Sequence, residues 1–168
     1  MTPAELLTDA FDRIHQTALA AVDGLTDEQL TTRPARDANP IAWLVWHLAR
    51  VQDDHIADVA GTEQVWTAQG FVDRFGLPFD AAATGYGMSG EEVAHVRVGA
   101  ELLASYLDAV HRATTEYVAG LAPEDLDRIV DERWDPPVTL GVRLVSVVSD
   151  DLQHAGQAAF IRGILQRR

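Results

Sequence analysis

Asn39-Pro40-Ile41-Ala42-Trp43-Leu44-Val45-Trp46-His47-Leu48-Ala49-Arg50 is the stretch on which the reading of this chain depends. Asn39-Pro40 opens a helix, because proline lacks the N–H that a first helical turn leaves unused, and the pattern runs on to about Ala60, where Gly61 ends it. An imidazole at position 47 of such an apolar run must find a partner or bear the cost of burial. The stretch therefore raises two questions together: what packs around this helix, and what meets His47.

Working outward, three further long segments carry a helical period of apolar residues, each introduced by recognisable punctuation. Thr2, Pro3 and Glu5 form a capping box, and Leu6, Leu7, Phe11, Ile14, Ala18 and Val22 follow it as far as Gly24. Thr26 and Gln29 repeat that pattern in a short turn of helix, which Arg33-Pro34 stops. Ser89 and Glu92 cap a third long helix, read as continuous through Val93, Val96, Leu103, Leu107, Val110 and Tyr117 to Gly120. The fourth begins near Thr139 and runs to the C-terminus through Leu144, Val147, Val148, Ala158 and Ile161. Strand-like alternation is nowhere sustained. The expectation is one all-α domain over residues 1–168, an antiparallel four-helix bundle with a long aromatic-rich connection, Gly61 to Met88, between its second and third helices.

Composition narrows the function. Lys and Arg number 13 against 26 Asp and Glu, a net charge of -13 that repels phosphate backbones, so nucleic acid is not an expected partner. Arg162, Gln166, Arg167 and Arg168 form a small basic cluster suited to a helix C-terminus. There is no cysteine, hence no thiolate ligand and no cysteine nucleophile, and any metal must be held by nitrogen and oxygen. Neither a signal peptide nor a run of roughly 20 apolar residues is evident, so a cytoplasmic protein without membrane contact is expected.

Of the six histidines, His47 and His154 lie among apolar neighbours, whereas His15, His55, His95 and His111 sit among charged or small residues and read as solvated. Asp150 and His154 are one helical turn apart, so their side chains converge beside the helix. A carboxylate, its neighbouring imidazole and a second imidazole from another helix form a donor set for a divalent transition metal, with a position open to water or substrate. Asp151, at i-3 from His154, reaches the same region, and Asp54, two turns after His47, is a further ligand or a hydrogen-bond acceptor for an imidazole. Spacing alone does not choose among these, and a buried Asp–His pair without metal has the same spacing. Ser146 and Ser149 lack the strand-turn-helix context of an activated nucleophile.

The quoted stretch, taken with Gln64-Val65-Trp66, Phe75-Gly76-Leu77-Pro78-Phe79, Gly85-Tyr86-Gly87 and Asp150-Asp151-Leu152-Gln153-His154-Ala155-Gly156-Gln157, resembles the DUF664 branch of the DinB superfamily. That resemblance implies a metal-binding helical bundle, commonly dimeric, with ligands at His47, Asp150 and His154, and it selects Asp150 over Asp151. Zinc is the implied ion, with nickel the alternative. The similar mycothiol-dependent maleylpyruvate isomerase has glutamate where this chain has the shorter Asp150. By the same resemblance the function is a metal-dependent S-transferase or isomerase using a thiol such as mycothiol on a small electrophile, with Trp43, Trp46 and Trp66 lining its pocket. A non-catalytic ligand-binding bundle and a metal-dependent hydrolase with the same ligands are the alternatives.

Overall fold

A computed structural model describes residues 1–167 of the chain; Arg168, last of the C-terminal basic cluster, lies outside the described residues. The elements, in order, are α1 (Pro3–Val22), α2 (Asp27–Thr31), α3 (Ile41–Ala60), α4 (Val65–Ala68), α5 (Phe71–Phe75), α6 (Gly90–Val93), α7 (Ala100–Ala119), β1 (Ile129–Asp131), β2 (Val138–Thr139) and α8 (Leu140–Leu165). Most caps are where the sequence places them, but Pro40 is itself the N-cap of α3, before the first helical turn, and no side chain caps that helix. Thr2 Oγ1 accepts from the Glu5 amide at 3.1 Å while the Glu5 carboxylate accepts from the Thr2 amide at 2.7 Å. Thr26 and Gln29 repeat the exchange, and Thr139 caps α8 by accepting from the Val142 amide. Gly61 closes α3 with a φ of 67°, a conformation in which a Cβ is strained.

The four long helices pack in a ring: α1 lies against α7 and α8, and α3 lies against the same two helices from the other side. One apolar cluster gathers Leu44, Trp46, Leu48, Tyr106 and Leu107 with Phe71 and Phe75 of the connection. A second, towards the start of α8, holds Phe11, Ile14, Ile56, Leu140, Leu144 and Val147. Each fully buried leucine contributes roughly 1.5–3 kcal/mol. Every residue of α3 from Ile41 to Arg50 is buried, as expected of a helix apolar on all sides. The residues after Gly61 make this possible by covering the face that the ring leaves open, with Val65, Trp66, Phe71 and Phe75 all buried.

The third long helix is not continuous. It breaks into α6 and α7, and between them the chain is extended, with Val96 and Val98 buried on either side of exposed Arg97. Their β-branched side chains suit this period-two segment, and Gly99, at φ -75° and ψ 161°, starts the helix afresh. The Ser89–Glu92 capping box does form, but it opens only the short α6. The β1–β2 hairpin was not foreseen either; at three and two residues it is too short to leave a readable alternation. Among the described residues no helix is long and apolar enough to cross a membrane.

Candidate metal centre

Because α3 and α8 pack side by side, His47 meets Asp150 and His154, and one donor atom from each lies within 4.8 Å of the other two. The hydrogen bonds decide which atoms these are. His47 Nδ1 faces the Thr84 carbonyl at 2.6 Å and His154 Nδ1 faces the backbone carbonyl of Asp150 at 2.8 Å. A carbonyl only accepts, so each Nδ1 carries the proton, and in the neutral ring Nε2 keeps its lone pair. Asp150 Oδ2 is buried and makes no hydrogen bond of good geometry, its nearest charge partner being His154 Nδ1 at 3.3 Å. Two imidazoles and a buried carboxylate therefore converge, a donor set that fits a divalent transition metal.

The electrostatics favour a lone pair at His47 and a proton at His154. Burial pushes His47 below the ordinary imidazole range and so favours the neutral, ligating form. For His154, burial acts in the same direction but is outweighed by the nearby Asp150 carboxylate and backbone carbonyl, leaving it raised. Burial would raise Asp150, yet His154 and the neighbouring imidazoles hold it below the usual carboxylate value, so it stays charged. An ion held by these three residues would keep a position open for a small molecule.

His47 is oriented from two sides. The Trp43 indole stacks on its ring at 4.5 Å, and a Cβ at Gly85 would stand 2.6 Å from Nδ1 and 3.2 Å or less from both Trp43 and Trp46. Gly85, at φ 99°, is thus where the 81–86 backbone approaches closely enough to present the Thr84 carbonyl. Arg50 anchors that segment. Its fully buried guanidinium donates to the carbonyls of Ala83 (3.1 Å) and Ala81 (3.3 Å) and to Gln64 Oε1 (2.8 Å), and lies 3.6 Å from Asp53. Asp53 in turn accepts from the Val65 and Trp66 amides and the Tyr106 hydroxyl, each at 2.8 Å.

A match to the family described as mycothiol-S-transferase spans residues 6–166, nearly the whole chain. The chain belongs to the mycothiol-S-transferase family. This family is DinB-like, as the resemblance implied. Among solved structures, a conserved protein from Enterococcus faecalis superposes with a TM-score of 0.92 at 31% identity, covering 100% of this chain and 99% of that one. A search of curated proteins finds no match.

In this mycothiol-S-transferase family member a cleft of about 400 Å³ lies beside the three residues, lined by His47, Val51, Asp54, His55, Thr84, Tyr86, Ser146, Val147 and Asp150. Tyr86 is 93% exposed and stands at its mouth. Asp54 reaches the cleft wall, where Oδ1 accepts from Gln64 Nε2 at 2.7 Å, but it is not among the three converging residues. Asp151 turns the other way, into the core, with both oxygens lacking partners; burial, then the charge of Asp150, raise it well above the carboxylate range. Trp43 packs against His47, Trp46 packs near Phe79, and Trp66 lies between Arg50 and Tyr106; none of the three lines the cleft. His15, His55 and His111 are not solvated as their neighbours suggested. His15 and His111 stack on each other at 4.0 Å, and His55 is tied to Arg143. Thr84, Gly85 and Arg50 escaped the sequence reading, since the contacts that give them a role join residues 33 to 38 positions apart.

Proposed function

We propose that this chain is a divalent-metal-dependent S-transferase that joins a low-molecular-weight thiol, of which mycothiol is the type, to a small electrophile. The observation that carries this reading is the convergence of two imidazoles, each with its Nδ1 on a backbone carbonyl, with the buried carboxylate of Asp150. Membership of the mycothiol-S-transferase family supplies the thiol. A divalent cation held by His47, Asp150 and His154, with zinc ahead of nickel, brings Lewis acidity towards that thiol, which a chain without cysteine needs from outside. The protein's own residues do the rest. Thr84 and the Asp150 carbonyl hold the ligating tautomers, Trp43 backs His47, and the cleft admits a small molecule next to them.

The same proposal takes residues 1–168 as one antiparallel DinB-type bundle, working in the cytoplasm as a homodimer. The outward face of α8 supports the dimer: Val142, Val145, Leu152 and Phe160 are exposed along it, and none of its exposed residues is charged. On a chain of net charge -13, such a face is where two copies meet with least repulsion. Sedimentation of Phe160→Glu as a monomer beside a dimeric parent checks this.

The metal proposal is tested by elemental analysis after exposure to zinc, together with thiol consumption in the presence of mycothiol and a halide electrophile. The parent should hold near-stoichiometric zinc and consume thiol above background, and His47→Ala and His154→Ala should do neither. A parent that takes up neither zinc nor nickel at neutral pH overturns the proposal.

A further inference from the structure

His55 lies on the same stripe of α3 as His47, two turns further along with Val51 between them, and all three residues line the cleft. Its hydrogen bonding is the reverse of His47's. Arg143 donates from one guanidinium nitrogen to His55 Nδ1 at 2.8 Å and from the other to Asp131 Oδ2 at 3.2 Å. Asp131 is itself gripped by the backbone amide and guanidinium of Arg133, at 2.8 to 3.0 Å. A guanidinium has no acceptor and does not lose its proton in proteins, so the Nδ1 it faces must hold the lone pair. The proton of the neutral ring is then on Nε2, which has no protein partner among the described residues. Burial and the charge of Arg143 both press against a second proton.

From this we infer that His55 is a hydrogen-bond donor to the small molecule that occupies the cleft, and that Arg143 is the positioning residue that sets its tautomer. The inference rests on the reading of this cleft as the transferase site. Two imidazoles on one helical stripe are thereby given opposite tasks: His47 turns a lone pair to the site, and His55 turns an N–H. The lining also limits the ligand. It contains Asp54 and Asp150 but no Lys or Arg, and Arg143 behind it is committed to Asp131 and His55. The electrophile that suits such a wall is uncharged and carries an acceptor oxygen, as in a carbonyl compound, rather than a carboxylate.

The test uses the full chain with ¹⁵N-labelled histidine, with and without zinc, and cyclohexenone as the carbonyl probe. The expected spectrum places the His55 proton on Nε2, mixes the tautomers in Arg143→Met, and shifts the Nε2 signal on adding cyclohexenone but not cyclohexene. With mycothiol present, His55→Leu should raise the KM for cyclohexenone about tenfold while zinc content is unchanged, and His55→Gln, which keeps a donor, should restore much of the loss. A proton on Nδ1, an Nε2 signal indifferent to cyclohexenone, or zinc lost in His55→Leu as in His47→Ala overturns the inference. Cyclohexenone registering at His55 in a chain that takes up no metal overturns the metal-dependent reading and upholds this one. Zinc bound with His55 unmoved does the opposite.

Discussion

Two histidine pairs bridge neighbouring helices in this molecule, and they have been put to different ends. Between α1 and α7, His15 and His111 lie flat on one another, 4.0 Å apart and 15° from parallel, and each Nε2 meets a carboxylate of the opposite helix, His15 with Asp108 at 2.6 Å and His111 with Asp12 at 2.8 Å. Between α3 and α8, the rings of His47 and His154 meet edge to face at 4.6 Å and 77°, and it is Nδ1 that the protein uses, on carbonyl oxygens. The first pair has paired off its faces and its outer nitrogens. The second leaves its outer nitrogens without a protein hydrogen bond among the described residues, beside the buried carboxylate of Asp150. On the proposed reading, what separates a structural histidine pair from a ligand pair is which nitrogen the fold has already spent.

The largest effect expected from that difference lies at Asp150. Asp150→Asn should weaken zinc binding by at least about 100-fold, because it removes the anionic member of the converging donor set. Asp151→Asn should leave zinc binding unchanged and alter stability instead. The proton affinity of Asp151 is raised in the fold, by burial first and the charge of Asp150 second. Its neutral form is therefore the one the fold favours, and the parent's stability is full at acid pH and falls as pH rises through the raised folded value. Asparagine has no such dependence. Chemical denaturation at neutral pH should show Asp151→Asn gaining on the order of 1 kcal/mol. Loss of zinc from Asp151→Asn would exchange the roles assigned to the two aspartates.

An intermediate effect is expected at Gly85. Gly85→Ala places a methyl group within 2.6 Å of His47 Nδ1 on a backbone at φ 99°, so the 81–86 segment must retreat and take the Thr84 carbonyl with it. Zinc affinity should fall about 10- to 100-fold and stability by about 1–3 kcal/mol. An alanine variant with parental zinc affinity, measured by competition with a chelator, would show that the Thr84 carbonyl does not set the ligating tautomer.

The readable and unreadable parts of this molecule divide by range. Caps and helical period are local, and they located α1, α2, α3 and α8 to within a residue or two. Val96 and Val98 defeated the same method, because apolar residues two and three apart satisfy a helix and an extended segment alike until Gly99 is seen to restart the chain. At the site, the one-turn spacing of Asp150 and His154 was evident, whereas the choice between Asp150 and Asp151 needed either resemblance or coordinates. The tautomers were beyond reach. His47 owes its own to Thr84 and His55 to Arg143, across 37 and 88 residues of sequence, and no periodicity reports contacts of that kind.

The smallest effect is expected at the other pair, and it is the one that most sharpens the contrast. The carboxylates of Asp108 and Asp12 are 42% and 44% exposed, so each bridge to its histidine is worth well under about 1 kcal/mol in water. The stacked rings add about 0.5–1.5 kcal/mol, shared between them. His15→Ala and His111→Ala should each cost about 1 kcal/mol in denaturant unfolding. Since the stack is a single interaction lost by either change, the double variant should cost less than the sum, with a coupling of about 0.5–1 kcal/mol. Zinc stoichiometry should not change in any of the three, because rings held face to face with their Nε2 atoms turned to separate carboxylates present no common point to an ion. If His15→Ala instead halved the zinc bound, the rule drawn from the two pairs would fail: a histidine whose outer nitrogen is already spent would then be a ligand after all.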